Sequence, residues 1–114
     1  TDVVRAAIDD QGDLGAFTKV GDLPAPLGTA AAFVFLDQLY VLGGATGLQS
    51  DEVATVYRAD LNTDGTVGVF ETLAPEPMAR AHDHQTPLLN GIIYSAGGIS
   101  MNAYEDQVFL GQLQ

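Results

Sequence analysis

The chain has 114 residues, with 4 Lys and Arg against 15 Asp and Glu, a formal net charge of −11, and no cysteine. That length gives one domain at most, and the charge opposes binding to phosphate backbones or anionic membrane surfaces. The missing thiols exclude disulfides, a thiolate zinc site and a cysteine nucleophile, and leave the compartment open, with an extracytoplasmic or secreted one slightly favoured.

From the start, Asp2–Ile8 reads as a strand, followed by the turn Asp9-Asp10-Gln11-Gly12 and a second strand over Ala16–Val20. The opening TDVVRAAIDD has no basic segment followed by an apolar one, so no leader is expected. Its first residue, Thr1, suggests a processed, excised or engineered chain. Next come Leu27–Leu36 and Gln38–Gly43, joined by a short connection through Asp37. The second of these ends in Gly43-Gly44, where the backbone is expected to need positive φ or the close approach of a neighbour. Strands over Glu52–Leu61 and Val69–Leu73 follow.

The same order then returns. Arg80–Leu89 repeats Leu27–Leu36, Ile92–Gly97 repeats Gln38–Gly43, and Gln107–Leu113 repeats Glu52–Leu61. Val3–Ile8 also matches Val56–Leu61 at an offset of 53, so one strand type is present three times. The offset becomes 54 at the paired glycines Gly43-Gly44 and Gly97-Gly98. Asn90-Gly91 is a strong hairpin signal. No helical period is sustained, so the chain is expected to be all-β. Runs such as Ala31–Leu36 are apolar at successive positions, which predicts sheets covered on both faces. Four-stranded sheets at a period near 50 describe the blades of a β-propeller.

On these residues the chain resembles kelch-type repeats. The resemblance rests on Leu39-Tyr40-Val41-Leu42-Gly43-Gly44 and Ile93-Tyr94-Ser95-Ala96-Gly97-Gly98, on Met78-Ala79-Arg80, and on His84 ahead of Asn90-Gly91. It covers essentially the whole chain. Phe17 and Phe70 stand where such repeats usually carry Trp, and Leu27 and Ala31 replace the Arg and His in the first copy. The resemblance implies propeller blades of four antiparallel strands. The segment 1–23 would supply the last two strands of a shared blade, 24–76 a full blade, and 77–114 the first three strands of the next. Closed propellers have about 4–8 blades, so the ring is incomplete within one chain. The expectation is a homo-oligomer completed by exchange of strands, with three or four chains closing the ring, or a piece of a larger propeller.

Two clusters carry candidate chemistry. Asp60, Asn62, Asp64, Gly65 and Glu71 fit the calcium-loop pattern, with oxygens at alternate positions and a distal carboxylate. Their flanks are strands, so a turn whose Asp and Asn cap backbone amides is the preferred reading over calcium. His82 and His84 would share a strand face and could reach one metal, but with no third ligand at hand a structural role is preferred. Arg80 is expected to bond a neighbouring blade, with ligand binding as the other option. No catalytic residue is assigned. A nucleophile elbow is absent, Lys19 is the only lysine, and Asp51-Glu52 and Glu105-Asp106 point to opposite sides of their strands.

A non-catalytic binding or scaffold module is therefore expected, taking a protein or carbohydrate ligand and no obligatory cofactor. A carbohydrate-active or metal-dependent enzyme using Arg80, His82 and His84 in the ring's channel is the alternative. A designed or excised blade pair with no role beyond assembly is another.

Overall fold

Leu36 and Asp37 both adopt left-handed backbone, with φ of 48° and 57°. This is the geometry a two-residue hairpin needs to match the twist of its strands. The turn joins β3 (Ala31–Phe35) to β4 (Gln38–Leu42) in the computed structural model, which describes residues 1–47, 51–82 and 86–112. β5 (Val56–Asp60) and β6 (Glu71–Thr72) extend the pair into a four-stranded antiparallel sheet in the order β3-β4-β5-β6.

The sheet is flanked in sequence by two partial ones. β1 (Asp2–Arg5) pairs with β2 (Thr18–Asp22), with a bulge between Val3 and Val4. At the other end, β7 (Leu88–Leu89), β8 (Ile92–Ala96) and β11 (Val108–Gln112) form an antiparallel sheet in the order β11-β8-β7. Between β8 and β11, β9 (Ile99–Ser100) and β10 (Ala103–Tyr104) form a small hairpin. The described residues contain no helix, hence none long and apolar enough to cross a membrane.

β4 and β5 are covered on both faces, but the run Ala31–Leu36 is not: in β3 the residues alternate, and Val34 is 55% exposed because β3 lies at the edge of the sheet. Val41, Tyr57, Ala59 and Phe70 form one buried cluster, packed against Val3 of β1 and against Leu23 and Leu27. On the opposite face Tyr40, Leu42 and Val56 pack against Phe33, Phe35, Leu73 and Ile93 of β8. Alternate residues of β4 thus serve two different cores, which is the period-2 geometry of a strand. The cross-strand pair Phe33 and Tyr40 adds a stacked ring contact, with centroids 4.9 Å apart and planes at 7°.

The glycine pairs behave as read. Gly43, Gly44, Gly97 and Gly98 all have positive φ, and Gly44 leaves no room for a side chain. A Cβ there would sit 2.7 Å from the Gly28 carbonyl oxygen and 3.0 Å from the Ala30 Cβ.

The strands differ from the sequence expectation mostly by trimming. Leu27–Leu36 is strand only over Ala31–Phe35, because Gly28 turns aside to bridge Ala45. Glu52–Leu61 narrows to Val56–Asp60, with Glu52 and Leu61 bridging Ala45 and Val67. Val69–Leu73 narrows to Glu71–Thr72, while Ala16–Val20 shifts to Thr18–Asp22. The largest correction is Arg80–Leu89, where, among the described residues, the strand comprises only Leu88–Leu89. Ala81 bridges Ile99 instead, and His82 turns the chain with a φ of 56°.

Candidate functional site

The two sequence-predicted clusters resolve differently. In the Asp-rich turn each polar side chain is engaged within its own neighbourhood. Asp60 Oδ1 accepts a hydrogen bond from Gln38 Nε2 at 2.9 Å, and Asn62 Nδ2 donates to Thr66 Oγ1 at 2.9 Å. Asp64 Oδ1 accepts from the Thr66 N–H at 2.9 Å and from its hydroxyl at 2.7 Å. These bonds, the hydroxyl's first, hold the Asp64 carboxyl below the usual carboxylate range. Glu71 is drawn to β5 rather than toward the turn: its Oε1 accepts from Arg58 Nε at 2.7 Å and also from Nη2. Among the described residues, no group of three or more His, Asp or Glu side chains could hold a metal ion.

Of the second cluster, His84 lies outside the described residues and His82 is exposed in a turn. The shared strand face proposed for the two imidazoles does not extend to His82, which lies outside any strand. Arg80 is fully buried. Its Nη1 donates to the Gly97 carbonyl at 3.0 Å, and its guanidinium carbon lies 4.6 Å from the centre of the Phe109 ring. Among the described residues, Arg80 Nε and Nη2 have no hydrogen-bond partner.

Arg80 leads to a feature that sequence reasoning missed. Glu76 is 9% exposed and Ser95 on β8 is 3% exposed, and the Ser95 hydroxyl donates to Glu76 Oε2 at 2.7 Å. Glu76 Oε1 is buried and has no partner among the described residues. Phe109, beneath Arg80, pairs directly with Ser95 across β11 and β8. One rung of the C-terminal sheet therefore receives both a buried carboxylate and a buried guanidinium.

The repeat contained the signal for this site. At the offsets of 53 and 54, Glu76 corresponds to Leu23, Arg80 to Leu27 and Ser95 to Val41; in the third copy of the β5-type strand, at an offset of 52, Phe109 occupies the place of Tyr57. All four counterparts belong to the apolar cluster between the central and N-terminal sheets. Three apolar members of the first packing layer have thus become polar in the second. Burying such groups is costly unless each is bonded.

The second layer also encloses space. A cavity of about 390 Å³ lies between the central and C-terminal sheets. Phe33, Tyr40, Leu42 and Phe109 give it apolar walls, and Glu76 and Ser95 supply its polar corner. Arg80 does not line it. The arrangement can serve recognition, with one acceptor oxygen unpartnered among the described residues and set among aromatic and aliphatic surfaces.

No protein-family model matches the chain. The chain is similar to the Kelch-like protein terF of Aspergillus terreus, at 33% identity over 82 residues. Those residues are 72% of this chain and 17% of that protein, so the chain spans about one sixth of the length of the curated relative it matches.

Proposed function

We propose that the chain is a non-catalytic binding or scaffold module made of kelch-like propeller blades, completed by association with further blades. The observation that carries the reading is the asymmetry of cover. The two middle strands of the central sheet, β4 and β5, are packed on both faces, whereas Val4 of β1 and Val108 and Leu110 of β11, like Val34 on the edge strand β3, remain more than half exposed. Apolar faces of this kind mark interaction surfaces. The similarity to a Kelch-like protein supports the same reading.

In this arrangement β1 and β2 are the last two strands of a blade whose first three come from a neighbouring copy's β7, β8 and β11. Each chain then contributes two blades, and three or four chains close a ring of six or eight. Because a β1-type strand is present at both ends, one copy is displaced or lies outside as an edge strand. Binding of a protein or carbohydrate falls to the loops at the ring's faces.

A charge placed in either open face tests the reading. Val4→Glu or Val108→Glu should lower the assembled fraction seen by analytical ultracentrifugation while the circular dichroism stays that of a β-protein. Assembly unaffected by both substitutions contradicts it.

A further inference from the structure

We propose that the cavity between the central and C-terminal sheets is a binding site for a small organic ammonium ion carrying an aromatic or aliphatic body. Three observations point to that chemistry. First, its volume of about 390 Å³ falls within the range of small-molecule sites. Second, among the described residues its single charged lining group is Glu76, more than nine-tenths buried, whose Oε2 is fixed by Ser95 and whose Oε1 has no partner among them. A fixed acceptor of negative sign calls for a ligand that donates a hydrogen bond and carries positive charge. Third, Phe33 and Tyr40 contribute aromatic surface to the walls beside Phe109, one face of which Arg80 already covers, and aromatic surface attracts cations as well as apolar groups.

The comparison within the chain adds direction. The equivalent layer on the other side of the central sheet has Leu23, Leu27 and Val41 at these positions, packed in one apolar cluster. Packing alone is thus satisfied by aliphatic residues in this architecture. Glu76, Arg80 and Ser95 replace them in the layer against the C-terminal sheet.

An anion is the wrong occupant. Arg80 is turned to the Gly97 carbonyl and the Phe109 ring and does not line the space, so an anion would meet Glu76 without a compensating cation. The net charge of −11 draws cations toward the whole molecule, which raises the encounter rate but confers no selectivity.

Three probes of one size separate the terms: 2-phenylethylammonium, 2-phenylethanol and 3-phenylpropionate, titrated into the intact chain by calorimetry. The ammonium ion should bind about tenfold or more tightly than the alcohol, and the carboxylate should not bind. Raising the salt to 0.5 M should leave most of the preference, since buried pairs are screened less than surface ones. Glu76→Gln keeps the side-chain shape and should bring ammonium and alcohol to similar affinity. Equal binding of ammonium and alcohol by the unaltered chain overturns the proposal. So does a preference that survives Glu76→Gln or vanishes with salt, which would assign it to the acidic surface. If Glu76→Gln does not fold, NOEs in the unaltered protein decide: contacts from the ligand ring to Phe33 and Phe109 are expected, and their absence overturns the site.

Discussion

The Ser95 hydroxyl donates to Glu76 Oε2 across 2.7 Å, with both residues buried, and so ties the segment after β6 to the second strand of the C-terminal sheet. Removing the donor leaves a buried carboxylate oxygen without a partner. Ser95→Ala should therefore cost about 1–3 kcal/mol, read as a lower urea midpoint at unchanged slope. A midpoint equal to the parent's would mean that Ser95 does not support the carboxylate.

The β3–β4 turn places two residues with side chains in left-handed backbone, where Asn-Gly is the favoured pair. The equivalent turn of the C-terminal sheet has that pair, Asn90-Gly91, at φ of 52° and 75°. Leu36 is 77% exposed, so its side chain contributes little packing. Leu36→Asn with Asp37→Gly should raise stability by about 1 kcal/mol, seen as a higher melting temperature. A fall would show that one of the two side chains makes a contact worth more than the backbone strain.

Two glycines of similar φ should respond unequally to alanine. Gly44 has a φ of 94° and a Cβ position 2.7 Å from the Gly28 oxygen; Gly97 has a φ of 71° and open space around its Cβ position. Gly97→Ala should cost about 1–2 kcal/mol from backbone conformation alone. Gly44→Ala adds a collision with main chain and should cost about 2–4 kcal/mol. Equal losses by chemical denaturation would mean that the Gly28 segment moves aside freely.

The Asp-rich turn makes a prediction about pH and one about calcium. Thr66 holds the Asp64 carboxyl below its ordinary value, so the contribution to stability is complete above about pH 4 and is lost as pH falls through the depressed folded value. Asp64→Asn should remove this part of the acid dependence, and an NMR titration should place Asp64 below the ordinary aspartate value. Since Glu71 is held by Arg58 and Asp60 by Gln38, excess calcium should leave the melting temperature unchanged. A clear upward shift would show that Glu71 leaves Arg58 to complete a cation site.

The sequence made the four-strand unit legible because three signals agreed: apolar runs, glycine pairs and a constant offset. Gln38 begins its strand where expected, and the Asn90-Gly91 turn is where its residues require it. The hairpin of β9 and β10 escaped notice because its turn, Met101-Asn102, reaches φ of 49° and 62° without a glycine to announce it. The strand expected from Arg80 failed at its start because Ala81 is committed to Ile99. Strand edges depend on such bridges between distant segments, which local pattern does not encode. The Asp-rich turn could be read from its spacing, since its hydrogen bonds are mostly local. Glu76 and Ser95 could not be read from local pattern, because their burial follows from the meeting of two sheets. Only the exchange of Leu23 and Val41 for polar residues at the repeat offset marked them.

Molar mass in solution, by multi-angle light scattering, tests the central claim most directly. If the open faces at Val4 and Val108 are completed by further copies, the mass should be three or four times that of one chain. A well-folded particle with the mass of a single chain, persisting as concentration rises, would contradict it.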